Sequence, residues 1–213
     1  MTTSLQALLN HSVNHLAPLL LSREAGLSLS SPLVELSCIF SQPGSRDQHR
    51  HSDVKSCQPK IISVFIALED VVLESGPTLL FAGSQTSLFH QRHPTSSTSV
   101  EYNADGSQDA ASPSPSLATP GEKAVEGEMS ADEAADSAPV LALLKAGDVL
   151  VLNTRLFHNG TRNTSTRSRD LICLSFQPRD EHGLAPRVEG FTHHLHQDVR
   201  LELGDFVMTR AGE

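Results

Sequence analysis

The chain opens on an apolar repeat of helical period and then changes to short runs of strand character. In residues 4–22, SLQALLNHSVNHLAPLLLS, the side chains Leu5, Leu8, Leu9, Val13 and Leu16 recur at helical spacing, and Ser4 stands where an N-cap is wanted. This pattern predicts a helix that packs on a sheet. From residue 33 onward the apolar residues come in short runs: LVELSCIF (33–40), KIISVFIALE (60–69), TLLFAG (78–83), VLALL and DVLVLN within 140–153, and LICLSFQ (171–177). Turn-forming stretches such as QPGS, ESGPT and KAGD separate them. Many short strands at such spacing predict a mainly β sandwich or barrel rather than a βαβ fold.

One segment breaks the pattern. Residues 93–139 hold few large apolar groups among Ser, Ala, Pro and acidic residues, and such a composition buries too little surface to offset its chain entropy. It is expected to be a disordered acidic loop inserted between strands, with a frayed helix near residues 126–136, inside a single domain spanning 1–213. Its make-up favours a tolerated insertion over a functional one.

Charge and cysteine usage narrow the class. With 16 Lys and Arg against 25 Asp and Glu the net charge is −9, which argues against a nucleic-acid partner. Cys38, Cys57 and Cys173 form an odd set without a CxxC pair, so a reducing compartment is expected rather than a disulfide framework or a thiolate zinc site. No basic residue precedes Arg23, the run LAPLLL is too short for a membrane span or a signal core, and the end TRAGE is not a peroxisomal tripeptide. The expectation is an intracellular, cytoplasmic protein with no membrane partner and an oligomeric state the sequence leaves open.

The chemistry concentrates in RDQHRHSDVKS, residues 46–56, where His49, His51 and Asp53 alternate. On extended backbone, residues two apart point to the same side, so His49 with His51 or His51 with Asp53 could serve as two ligands to one metal. A third ligand must come from far along the chain, and His158, just after the strand run KAGDVLVLN, is the candidate. Two imidazoles and one carboxylate on one side of an ion leave adjacent positions open, the arrangement of non-haem Fe(II) oxygenases. Eleven residues beyond His158, Arg169 begins the run LICLSFQ, and its guanidinium fork suits a carboxylate of an acidic co-substrate.

These residues resemble the phytanoyl-CoA dioxygenase family. The likeness runs through QPGSRDQHRHSD, ISVFIALEDVVLESGPTLLFAGSQ and LKAGDVLVLNTRLFHNGTRNTSTRSRDLICLSF, about half the chain. It implies a double-stranded β-helix, a jelly-roll of cupin type, with an N-terminal helix. Its Gln-x-x-His-x-Asp pattern falls on Gln48, His51 and Asp53, which selects His51 over His49. Its GPT and GS elements fall on Gly76 to Thr78 and on Gly83-Ser84, and its distal ligand and co-substrate Arg fall on His158 and Arg169. The resemblance implies an Fe(II)- and 2-oxoglutarate-dependent dioxygenase, with ascorbate as an accessory reductant, that hydroxylates a small organic or acyl substrate. In that reading His51, Asp53 and His158 are the metal ligands, and Arg169 and Phe65 line the co-substrate.

The chain also departs from the family's pattern. Gln85 replaces a His after Gly83-Ser84, and Phe65 stands where many members carry a Trp beside the co-substrate, losing an indole N–H. Gly160 stands where a serine hydroxyl often helps hold the co-substrate carboxylate, with Thr161 as the nearest substitute. Only about fifty residues precede His51, where members have a longer helical region, so a truncated or lean form is expected. Two other readings stand beside the oxygenase: a catalytically silent β-helix binding module, and a cupin-type metal-dependent hydrolase or isomerase. The run His193, His194 and His196 reads as a solvated polar stretch, His90 and His93 as exposed, and Asn163 and Ser165 as turn formers.

Overall fold

The structure, a computed structural model, describes residues 3–54, 59–92, 139–185, 188 and 201–207. Helix α1 (Thr3–Leu20) leads into seven strands: β1 (Leu33–Ser41), β2 (Ile62–Ala67), β3 (Thr78–Phe81), β4 (Pro139–Ala142), β5 (Val149–Asn153), β6 (His158–Gly160) and β7 (Arg169–Phe176). A short helix α2 (Ser87–Arg92) follows β3. Four strands pair antiparallel in the order β1-β7-β2-β5, and three in the order β4-β3-β6. A single bridge between His51 and His158 extends the smaller sheet by one more segment of chain. Each sheet draws its strands from both halves of the sequence, the topology of a double-stranded β-helix.

Alternation along β2, β5 and β7 gives the larger sheet two apolar faces. Ile62, Val64, Ile66, Ile172, Leu174 and Phe176 face outward and meet Leu9, Val13 and Leu20 of α1, together with Leu203 and Phe206. Burial of each such side chain contributes ~1.5–3 kcal/mol, so the amphipathic stripe of α1 holds it on the sheet. The opposite face turns Phe65, Ala67, Leu171, Cys173 and Leu152 inward, toward Leu80 of β3 and Val71.

A bulge in β1 sets which of its residues point inside. Leu33 pairs with Phe176 and Glu35 with Ser175, so Val34 is an extra residue in the ladder. After the bulge, Leu36 joins the outer cluster and Ile39 the inner one. Glu35, which strict alternation from Leu33 would aim at the outer apolar layer, is thereby turned to the interior.

The strands expected at 33–40, 60–69, 78–83, 140–153 and 171–177 are all present, most of them trimmed at the ends, and the N-terminal helix is where its periodicity puts it. Strand β6 and helix α2 were not foreseen. The acidic segment expected to be disordered, the frayed helix near 126–136, Cys57, His93 and the His193–His196 run lie outside the described residues, except that Pro139 opens β4. No helix among the described residues is long and apolar enough to cross a membrane.

Candidate metal centre

The two histidines come together because their backbones pair. The His51 amide donates to the His158 carbonyl at 2.9 Å and the His158 amide to the His51 carbonyl at 2.7 Å. Their rings lie 4.6 Å apart between centroids. Asp53 is placed by a different contact: its amide and that of Val54 donate to the Thr154 carbonyl, and Thr154 is in turn fixed to Ile61 by its amide and its hydroxyl. The Asp53 carboxylate then stands 3.7 Å from His51 Nε2 and 3.6 Å from His158 Nε2. One donor atom from each residue lies within 4.8 Å of the others, a set that one ion could bridge.

Ring orientation supports the same role. Nδ1 of His51 donates to the His49 carbonyl at 2.8 Å, and Nδ1 of His158 donates to the Leu156 carbonyl at 3.0 Å. A carbonyl can only accept, so each ring carries a proton on Nδ1 and turns Nε2 toward Asp53, the orientation a metal-bound imidazole requires. Burial holds His51 below the ordinary imidazole pKa and the adjacent His158 adds to this, while the His49 carbonyl and Asp53 oppose it. His158 is 10% exposed, Asp53 29% and His51 40%, so the cluster opens on the side of Asp53 and His51. His49 itself is exposed and contributes its carbonyl.

Arg169 lies on the inner face at the start of β7 and is 5% exposed. Its Nη1 reaches the Thr78 hydroxyl at 3.5 Å, its Nε is buried with no hydrogen-bond partner, and no carboxylate among the described residues pairs with it. Burial lowers its pKa, partly offset by Asp170. A buried guanidinium with an orphaned donor is costly unless something acidic completes it. Phe65 points to the same interior, opposite Cys173 and packed with Leu171.

The loss of the family's serine has a local explanation. Gly160 donates its amide to Gln48 Oε1 at 2.8 Å, and a Cβ at Gly160 would come within 2.9 Å of that oxygen. The Gln48 side chain fills the place. Thr161 is no substitute, because its hydroxyl donates to the Pro77 carbonyl at 2.7 Å. The hydroxyl facing Arg169 comes instead from Thr78, the residue across from Gly160 in the β3–β6 pair, a role the sequence reading did not assign although the GPT element contains it. Gly76 of that element has φ 78°, and a Cβ there would lie 2.5 Å from the Thr161 carbonyl, so only glycine lets these two loops touch.

Other residues serve the scaffold. Ser84 is fully buried, accepts from the Phe157 amide and donates to the Phe81 carbonyl, which fixes the approach to His158. Asn163 donates to the carbonyls of Ser41 and Arg167 and accepts from Ser165, pinning the loop before Arg169 to the end of β1. His90 departs from expectation: it is half-buried, with its ring 4.8 Å from Phe157 and Nε2 2.8 Å from the Arg155 carbonyl, because α2 folds back on Phe157.

A double-stranded β-helix with a His-x-Asp pair, a distal His and an inward buried Arg defines a cupin-type metalloprotein. The family model for phytanoyl-CoA dioxygenase matches residues 6–171, and the chain belongs to that family. No curated protein matches the chain. Among solved structures, it is similar to the non-heme α-ketoglutarate-dependent epimerase SnoN from nogalamycin biosynthesis, at 17% identity and a TM-score of 0.51, over 95% of this chain and 73% of that one. It is also similar to AviO1 from Streptomyces viridochromogenes Tue57, at 18% identity and a TM-score of 0.45 over 73% of this chain, and to the carbocyclase SnoK from nogalamycin biosynthesis, at 18% identity and 0.43 over 70%. The chain spans about half the length of AviO1 and SnoK, 53% and 51% respectively. At these identities the likeness is one of fold.

Proposed function

We propose that the protein is an Fe(II)- and 2-oxoglutarate-dependent dioxygenase that hydroxylates a small organic molecule. The observation that carries this reading is the pairing of two features: three converging donor atoms of His51, Asp53 and His158, and a buried Arg169 with no acidic partner among the described residues. His51, Asp53 and His158 would hold the ferrous ion, and the mixed imidazole and carboxylate donors suit it. When bound, the ion supplies oxygen activation: 2-oxoglutarate is decarboxylated to succinate and carbon dioxide, and the second atom of dioxygen enters a substrate C–H bond.

The chain's own part is to bind, orient and exclude. Arg169 pairs with the distal carboxylate of 2-oxoglutarate, and Thr78 supplies a hydroxyl next to the guanidinium. Phe65, Leu171 and Leu80 give an apolar wall that keeps water from the co-substrate. Nδ1 of each histidine donates to a backbone carbonyl, which orients Nε2 toward Asp53 as the nitrogen available to a metal.

Anaerobic addition of Fe(II) and then 2-oxoglutarate tests this reading. A weak visible charge-transfer band that forms only when both are present is the expected result. Metal uptake without the band would point to a cupin-type hydrolase, and no uptake to a silent binding module.

A further inference from the structure

The inner face of the larger sheet carries a second, opposite electrostatic anchor. Arg169 lies at one end of β7, across from Ser41, while Ser175 lies near the other end, across from Glu35. Ser37 donates to Glu35 Oε1 at 2.7 Å and Ser175 to Oε2 at 3.1 Å. The Ser175 proton being used, Ser63 donates to the Ser175 oxygen at 2.8 Å, and the Cys173 thiol lies 3.6 Å from the same oxygen. Ser37 and Ser175 thus donate to the carboxylate directly, and Ser63 supports Ser175 from behind.

Ser63 and Ser175 are 1% and 0% exposed, whereas Glu35 and Ser37 are half-buried and reach solvent. Among the described residues no cation pairs with Glu35. Two hydroxyls and a weak thiol donor, Cys173 Sγ at 4.0 Å from Oε2, satisfy only part of the acceptor capacity of a carboxylate, which has about four lone-pair sites. A half-buried negative charge without a counter-ion favours an incoming positive one. The bulge at Val34 is what turns Glu35 inward, so its position is built into the ladder.

The group shares the inner face of β7 with Arg169, since Arg169, Leu171, Cys173 and Ser175 alternate along that face. The Cys173 thiol between them is pushed up by burial and then by the Glu35 carboxylate beside it. We propose that Glu35, held in place by Ser37 and Ser175, recognises a protonated amine on the prime substrate from the inner face of the sheet, while Arg169 serves the acidic co-substrate at the other end of β7. This rests on the oxygenase reading for the word substrate, but the binding preference itself does not. The substrate class is thus a cationic amine rather than an anionic acyl compound.

The test uses the full chain carrying Arg169→Ala, which removes the competing carboxylate site, without added metal or 2-oxoglutarate. Cyclohexylammonium, cyclohexanol and cyclohexanecarboxylate, matched in size, are titrated by calorimetry or ligand-observed NMR. The ammonium should bind about tenfold or more tighter than the alcohol, and the carboxylate weakest. Glu35→Gln should erase that preference, and Ser175→Ala, which keeps the charge, should reduce it less. Equal binding of the three probes, or a preference that survives Glu35→Gln, would overturn the proposal. Should Glu35→Gln fail to fold, the ranking of the three probes on the parent chain decides by itself. Because no metal is present, failure of the oxygenase reading shows in the absorption experiment and leaves this one unaffected.

Discussion

Replacing Arg169 by alanine separates the co-substrate role from every structural role the residue plays. Its guanidinium is 5% exposed, has one long contact to Thr78 at 3.5 Å, and leaves Nε unpaired. An orphaned buried donor costs about 1–3 kcal/mol, which offsets the packing lost with the side chain, so the apo variant should melt within a few degrees of the parent. With 2-oxoglutarate the balance reverses. Loss of one partner of a desolvated charge pair costs about 2–5 kcal/mol, or roughly thirty-fold to several thousand-fold in affinity. Arg169→Lys should recover only part of this, since an ammonium cannot make two parallel hydrogen bonds. Arg167, 80% exposed and 3.4 Å from Glu69, is the control and should tolerate alanine. The assay is anaerobic titration of 2-oxoglutarate into iron-loaded protein. Unchanged affinity in Arg169→Ala would refute the reasoning and with it the case for an oxygenase.

Three further outcomes are expected. His51→Ala, Asp53→Ala and His158→Ala should each abolish stoichiometric Fe(II) binding by equilibrium dialysis, whereas His49→Ala should not, because only the His49 carbonyl touches the cluster; equal loss in His49→Ala would show that the wrong pair was chosen. Gly76→Ala forces a Cβ to 2.5 Å from the Thr161 carbonyl at φ 78°, and a cost of about 1–3 kcal/mol should appear as a lower melting temperature. Deleting residues 100–135, which hold few large apolar side chains, should leave iron binding and melting nearly unchanged; a drop of many degrees would mean that the segment belongs to the core.

The sequence made β2, β5 and β7 legible because short, near-continuous runs of Val, Ile and Leu between turn signals fit strands of a sheet buried on both faces. Strand β6 is different. His-Asn-Gly has no strand propensity, and its extended state comes from pairing with β3 on one side and His51 on the other. The alignment of His51, Asp53 and His158 was readable from residue type and spacing, aided by the family resemblance, as was the inward Arg169. Gln48 filling the space beside Gly160 was not, since a contact across 112 positions leaves no local trace. Nor could the bulge that turns Glu35 inward be read, because one extra residue in LVELSC is visible only against its partner strand. His90 was misjudged for a similar reason: the aromatic surface that shelters it, Phe157, lies on a distant part of the chain.

The His51–His158 bridge ties metal occupancy to the seam of the β-helix. Two reciprocal amide–carbonyl contacts make up that bridge, and the side chains of the same two residues would supply the nitrogens of the proposed metal centre. The Gln48 amide extends this seam by one more bond, to the Gly160 carbonyl at 2.9 Å, and a seam this short is a natural place for local opening, which would also separate the two rings. An ion bound to both rings therefore acts as a clasp, slowing amide exchange at positions 51 and 158 by the same free energy with which it binds the closed form in preference to the open one. The amides of the two ligands thus become a built-in gauge of whether the centre is filled, readable without any substrate or turnover.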